Sequence, residues 1–397
     1  MEKTMSDNLI VDLFKAYFDA RKHKRNTVNQ LAFELELEKN LFQLYNELRW
    51  YRYVPARSVA FIVDRPVKRE IFCADFRDRV IHHLLFNYIN PVLDRRFIDD
   101  SYSCRVGRGT LFGQERLERG MRAATDNFTR EAWILKLDIR GYFMSINRKI
   151  LYDKLIFHLE KPSVLWNGIN MELVRYLIRV IVFNDPVDNC LIKGQRTNWE
   201  GLPPSKSLFH SPEGCGLPIG NLTSQLFSNV YLHEFDTWIK YHHRLKYYGR
   251  YVDDFYIIHP DKDYLKSLIP QIRTFLADEL QLTLHPNKVY LQSVHQGVDF
   301  LGATHKPYYR LAGRRAKHNF YKLIHQANDY FCNHPEPDRK DIEQFCAQMN
   351  SYLGYLGQQN TMKLRLNALF SLLSDNAALQ VRKYGLRKML PLKSDAD

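Results

Sequence analysis

Apolar positions recur along the chain with two different periods, and each change of period marks a change of element. Residues 6–20 and 29–50 carry helical spacing, the second stretch with Leu31, Phe33, Leu35, Leu37, Leu41 and Leu44 set among Glu and Gln. From Arg65 to Ile89 the sequence RPVKREIFCADFRDRVIHHLLFNYI alternates like a strand, then shifts to helical spacing at Val80, Leu84, Leu85 and Tyr88. Residues 133–139, WILKLDI, read as a short apolar strand, and helices are expected over 147–160, 170–183, 221–241 and 263–280. Two short strands are expected within 282–303. Two helical faces close the chain: Phe320, Leu323, Ile324, Ala327 and Phe331, then Ile342, Phe345, Cys346, Met349 and Leu353. Residues 185–216 are dense in Gly, Pro, Ser and Asn and read as a long loop inserted between core elements.

One apolar run is interrupted by charge. Residues 247–258, YYGRYVDDFYII, read as two strand segments meeting at Val252-Asp253-Asp254, a hairpin with both acids at its tip. Ionised carboxylates in such a run are costly to bury unless paired or bound to metal. Asp138, set among Leu135, Leu137 and Ile139, is a third acid in an apolar strand. Two-metal phosphoryl transfer requires carboxylates converging on cations roughly 3.5–4 Å apart, and magnesium suits all-oxygen ligation. A second acid pair, Asp99-Asp100, follows DRRFI and precedes Ser101, and reads as a solvated turn. In the inserted loop, Arg196 and Trp199 are candidates to grip or stack on RNA, and a loop folded back onto the core is the equal alternative.

Composition narrows the class. With 397 residues, 45% hydrophobic and 25% charged, the chain fits an ordinary globular protein of two or three lobes. No run of about 18 apolar residues is present, so no membrane-spanning helix is expected. The N-terminus MEKTMSDNLIVDLF lacks the layout of a signal peptide. The six cysteines form no C-x-x-C, so neither zinc nor a disulfide framework is indicated, and a cytoplasmic location is expected. A formal net charge of +13 with 13% aromatics is the profile of a protein that tracks a phosphate backbone.

LKLDIRGYF, GCGLPIGNLTSQLFSN, YVDDF, LHPNK and FLG occur in the order of the conserved blocks of reverse transcriptases, and REIFCADFRDRV resembles the basic fingers block of the bacterial, group II intron-like members. The resemblance runs from about residue 50 to 305. It implies an α+β right-hand polymerase: N-terminal helical extension and fingers over 1–64, fingers over 65–130, a palm with an antiparallel sheet and flanking helices over 131–305, and an α-helical thumb over 306–397. On it, Asp138, Asp253 and Asp254 bind two Mg2+ ions, and Lys288 is a candidate general acid to pyrophosphate. Lys68 and Arg69 would grip the incoming triphosphate, with Arg77 and Arg79 serving nucleotide or template. Phe143 sits at the steric gate against a ribose 2′-hydroxyl. Gly220 allows close approach of the base pair or triphosphate.

The block around Gly220 reads PIGNLTSQ where intron-type enzymes have PQG followed by SP. Ile219 thus stands in place of a glutamine and Gln225 in place of a proline. This pattern resembles the reverse transcriptases of diversity-generating retroelements, which copy a template-repeat RNA into cDNA with errors concentrated at adenines. The partners implied are template RNA, cDNA or primer, deoxynucleoside triphosphates and a small basic accessory protein. Another bacterial reverse transcriptase (retron, abortive-infection or intron type) is the alternative. A catalytically silent RNA-binding protein is a third reading, opposed by the joint presence of Asp138, Phe143, Asp253, Asp254 and Lys288.

Overall fold

The structure, a computed structural model, describes residues 8–22, 27–64, 67–161, 168–334 and 336–375, together with 164, 166, 377 and 378. Residues 6 and 7 of the expected first helix and residues 379–397 of the expected thumb lie outside the described residues. Two compact units interleave along the sequence: Met1–Gly109, Leu135–Ile257 and Lys262–Tyr290 in the first, Thr110–Ile134, Ile258–Asp261 and Leu291–Asp397 in the second. Among the described residues no helix is long and apolar enough to cross a membrane.

The chain opens with α1 (Leu9–Arg21), α2 (Val28–Leu35) and α3 (Leu37–Arg49). The single helix expected over 29–50 is therefore two. Glu36 leaves the helical region at φ −124°, ψ 44°, and the Asn40 amide donates to the Phe33 carbonyl at 2.9 Å, satisfying an acceptor that the break exposes. The break lets α2 bury Phe33 while α3 buries Leu41, Leu44 and Leu48; Leu31 and Leu35 of the expected stripe stay exposed.

Strand β1 (Val59–Val63), which the sequence pattern did not single out, pairs antiparallel with β2 (Arg69–Cys73), Ala60 opposite Phe72. Helix α4 (Phe76–Leu93) starts on Asp75, whose carboxylate accepts from the Arg77 N–H at 3.0 Å, a side-chain cap. Its buried face packs on α1. After α5 (Thr110–Ala124) come β3 (Trp133–Ile139), α6 (Tyr142–Ser145), α7 (Arg148–Leu159) and α8 (Met171–Phe183), with Asn147 and Asn170 capping the last two.

The inserted segment 185–216 is irregular, as expected, but anchored. Its β4 (Leu191–Ile192) adds to β1 in parallel, Val59 opposite Leu191, and the rest is a series of 3-10 turns. The helix expected over 221–241 is broken at Leu232 into α9 (Leu222–Tyr231) and α10 (His233–Thr237), followed by a π turn at Trp238–His242. Strands β5 (Tyr247–Tyr251) and β6 (Asp254–His259) form the expected hairpin, and α11 (Lys262–Leu280) follows. In place of two short strands over 282–303 there is one long strand, β7 (Leu284–Ser293), then β8 (Val298–Phe300) and β9 (Ala303–Lys306). The central sheet has the order β5-β6-β3-β7.

In the second unit β10 (Tyr309–Ala312) joins β9 and β8 in an antiparallel sheet, and α12 (Arg314–Asn333), α13 (Arg339–Gly357) and α14 (Met362–Asn367) follow. Phe320, Ile324, Phe331, Met349 and Leu353 lie in its core, on the two faces read from sequence. The chain is of the α+β class.

The Asp99-Asp100 pair corrects one expectation. Asp99 is exposed, but Asp100 is buried and paired with Lys240 at 2.7 Å. Residues 100–103 run beside β5: the Arg250 N–H donates to the Asp100 carbonyl (2.8 Å) and the Tyr102 N–H to the Arg250 carbonyl (2.9 Å). A solvated turn is ruled out because the backbone on both sides is consumed by this pairing.

Candidate active site

Alternation along β3 buries Leu135, Leu137 and Ile139 and turns Lys136 and Asp138 to the opposite side, half-buried. The neighbouring hairpin delivers the other two acids. Its turn is stitched to the end of β3 by the Ile139 N–H, which donates to the Asp253 carbonyl at 3.1 Å. Val252 sits in the left-handed region at φ 58°, a conformation that a β-branched residue rarely adopts.

A buried network of five residues holds that turn. Arg250, fully buried, donates from Nη1 to the Val252 carbonyl at 2.9 Å. Its Nε and Nη2 engage Asp236 Oδ1 and Oδ2 at 2.7 and 2.6 Å, a two-pronged match of guanidinium and carboxylate. Ser103 Oγ accepts from the Val252 N–H at 3.3 Å, and Ser101 Oγ accepts from Arg250 Nη2 at 3.1 Å. The Tyr248 hydroxyl also donates to Asp236, at 2.6 Å. None of these partners was singled out from sequence. The available signal was an arginine two residues from the turn, inside a strand otherwise built to be buried.

The acids feel one another. Burial, then the charge of Asp138, pushes the Asp253 carboxyl up to about 6, with Arg69 and Lys288 working in the opposite direction. Burial also raises Asp254 to about 6, against the pull of Lys136, whose Nζ is 3.2 Å from Asp254 Oδ2. Lys288 Nζ lies 2.8 Å from Asp138 Oδ2. Burial draws the Lys288 ammonium down, but its hydrogen bond to Asp138 and the surrounding carboxylates outweigh that and raise it. Asp254 Oδ1 is buried with no hydrogen-bond partner.

Carboxylate oxygens of this kind are the donor set a hard divalent cation prefers. Asp138 and Asp253 match it best, because the charge of Asp138 works against an ionised Asp253 and a cation between them would relieve that. Asp254 has one oxygen engaged by Lys136 and one unsatisfied, which fits an assisting position. Among the described residues no three acidic, imidazole or thiolate groups converge as a ready-made metal cage.

The other sequence candidates are spread over several places. Phe143, Ile219 and Trp199 pack against one cluster formed by Ala60, Phe72, Met144 and Leu208. The Ile219 carbonyl accepts from the Phe72 N–H at 2.9 Å. Gly220, at φ 131°, lies where a Cβ would come within 2.7 Å of the Phe72 carbonyl oxygen, so only glycine fits. Arg69 is exposed on β2, close enough to influence Asp253. Lys68 donates to the Glu200 carbonyl at 2.7 Å. Gln225 is exposed on α9, and Arg196 is exposed in the insert. Arg77 and Arg79 are engaged elsewhere: Arg77 pairs with Glu47 and lies over the Tyr53 ring, and Arg79 donates to the Ala74 carbonyl at 3.0 Å and to Cys73 Sγ.

Residues 66–305 match the family described as reverse transcriptase (RNA-dependent DNA polymerase). Protein YkfC of Escherichia coli (strain K12) is 22% identical over 336 residues, covering 75% of this chain and 77% of that protein. Among solved structures, apo telomerase from Candida tropicalis, truncated from its C-terminal domain, aligns with a TM-score of 0.43 and 12% identity over 66% of this chain and 58% of that one. Telomerase from Candida albicans with a TWJ fragment of telomeric RNA gives 0.42 and 11% over 88% of this chain and 64% of that one. The chain therefore spans less than two thirds of either telomerase chain. The family match takes in more than half of the chain, with Asp138, Gly220, Asp253, Asp254 and Lys288 all inside it: the chain belongs to the reverse transcriptase (RNA-dependent DNA polymerase) family.

Proposed function

We propose that the chain is the RNA-directed DNA polymerase of a diversity-generating retroelement, copying a template-repeat RNA into cDNA with errors concentrated at adenines. The observation that carries the polymerase reading is the meeting of Asp138 and Asp253 beside Lys288, 2.8 Å from Asp138. Two Mg2+ ions, when bound, supply an acidified primer 3′-hydroxyl and charge neutralisation at the triphosphate. The chain's own residues do the rest. Asp138 and Asp253 hold the ions with Asp254 assisting, and the Arg250–Asp236 pair keeps the turn in register. Lys288, its ammonium favoured by its carboxylate neighbours, gives a proton to pyrophosphate. Arg69 and Lys68 grip the triphosphate, and Phe143 closes the space a 2′-hydroxyl would need.

The subtype rests on Ile219, Gly220 and Gln225. An apolar side chain where relatives have a hydrogen-bonding one loosens control of the nascent pair, because lost polar pairing discriminates far more strongly than apolar packing. In this reading residues 1–64 and 65–130 build the fingers, 131–305 the palm and 306–397 the thumb. The partners are template RNA, primer or cDNA, deoxynucleoside triphosphates and a small basic accessory protein, in the cytoplasm. The test is primer extension by the full chain on an RNA template with magnesium and deoxynucleotides, followed by sequencing. Errors concentrated opposite template adenines support the reading. Faithful cDNA refutes the subtype, and absence of product with native RNA and accessory protein supplied refutes the polymerase.

A further inference from the structure

The inserted segment and the β1–β2 hairpin meet at a carboxylate that the mechanism does not use. Glu70 on β2 is 1% exposed, and no cation pairs with it among the described residues. Three donors from the insert converge on it instead. The Trp199 indole N–H donates to Oε2 at 2.6 Å, the Ser207 hydroxyl to Oε2 at 2.7 Å and the Leu208 N–H to Oε1 at 2.5 Å. A buried carboxylate is tolerated only when its lone pairs are taken in this way, and charge-assisted bonds are the strong ones. The insert is thus pinned at one point to a strand more than a hundred residues earlier.

What the pin holds adjoins residues assigned above to the nucleotide, Phe143 and Ile219. Leu208 is buried in the cluster against which Phe143, Trp199 and Ile219 pack. Gly141, two residues before Phe143 and at φ 56°, is so close to the insert that a Cβ would come 2.7 Å from the Ser205 carbonyl oxygen. Beyond the insert's end, the Leu217 N–H donates to the Phe143 carbonyl at 2.8 Å. The backbone just before Phe143 and part of the apolar cluster it packs against therefore adjoin residues 199–208.

We propose that Glu70 is a positioning residue for sugar selection: by tethering Trp199, Ser207 and Leu208 it fixes the floor on which Phe143 stands, and so sets the preference for deoxynucleotides over ribonucleotides. The proposal rests on the polymerase reading and on Phe143 as the gate. Primer extension by the full chain, with each deoxynucleotide and its matching ribonucleotide, tests it in the natural sequence and in Phe143→Ala, Glu70→Gln and Trp199→Phe. Glu70→Gln keeps the size but turns one acceptor into a donor facing other donors. The ribonucleotide-to-deoxynucleotide ratio of kcat/KM should rise about tenfold, the scale of a sub-ångström misplacement at a reacting centre, mostly through a lower KM for ribonucleotides. Trp199→Phe, which keeps an aromatic ring and removes one donor, should shift the ratio in the same direction by less.

A purely structural Glu70 would lower the Tm and slow both nucleotides alike; an unchanged ratio in Glu70→Gln overturns the proposal. If that variant does not fold, Trp199→Phe decides, and an unchanged ratio there overturns it. Failure of the underlying reading looks different. An inert natural chain, supplied with native RNA and accessory protein, removes the polymerase, and an unchanged ratio in Phe143→Ala removes the gate.

Discussion

Asp236→Ala is expected to damage the protein in two separable ways. The Asp236–Arg250 pair has both side chains fully buried, with contacts of 2.6 and 2.7 Å. Removing one partner strands a guanidinium in the interior, which costs about 3–5 kcal/mol. The Tyr248 hydroxyl loses its acceptor too, but it belongs to the same network and adds less than its separate value. At about 2–4 °C per kcal/mol for a unit of this size, the Tm should fall by roughly 6–20 °C in a calorimetric or fluorescence scan. The double variant Asp236→Leu/Arg250→Met replaces the pair by apolar volume and should recover most of that loss. It does not restore the donor to the Val252 carbonyl, so cDNA synthesis should stay at least tenfold below the natural chain, an estimate on the scale of misplaced catalytic groups. A single variant within about 1 kcal/mol of the natural chain would show that the pair is not desolvated as described. A double variant with full synthesis would show that the turn does not need Arg250.

Asp253→Ala should abolish cDNA synthesis while RNA binding, followed by filter retention or fluorescence anisotropy, stays within about twofold, since surface lysines and arginines carry that affinity; persistent synthesis would remove Asp253 from the metal site. Chelation by EDTA should stop synthesis, and added Mg2+ should restore it and raise the Tm, with both responses lost in Asp253→Ala. Ile219→Gln should lower adenine misincorporation severalfold, read by sequencing the cDNA. Burial pushes the Glu234 carboxyl up, but hydrogen bonds from His158 and Lys154 prevail and bring it down to about 2 from 4.5. Its stabilising contribution is therefore complete above about pH 4.5 and lost as pH falls towards 2. Glu234→Gln should cost roughly 1–2 kcal/mol at neutral pH, allowing for screening of a partly exposed group, and flatten the acid limb of the stability curve.

The sequence revealed what depends on local pattern. Asp138, Asp253 and Asp254 stood out because carboxylates interrupt apolar strands, and they sit on β3 and on the hairpin whose β6 neighbours it. The two faces of the C-terminal helices were legible because period 3.6 survives in α12 and α13. What escaped were partners that only folding supplies. Lys136 alternates outward on β3 like any solvent-facing lysine, yet it meets Asp254. Glu70 sits in REIFC as an ordinary strand acid, and its donors lie up to 138 residues away. Asp100 looked solvated because nothing nearby announces that Arg250 pairs with its backbone. Glu36 breaks a helix whose apolar spacing runs straight through it, because two shorter helices bury different faces.

The interleaving of the two units has a consequence for how the chain is made. The Gln114 side chain on α5 donates to the Leu301 carbonyl, 187 residues later in the sequence, and Glu118 waits the same span for His305. At synthesis rates of about 5–20 residues per second, α5 leaves the ribosome roughly 10–40 s before its partners exist. Throughout that interval Gln114 and Glu118 lack these partners, on a helix whose Leu117 and Met121 are buried in the finished protein. The native contacts of α5 to these residues are thus among the last to form during synthesis, and a ribosome stalled before residue 291 carries the helix without its partners at Leu301 and His305.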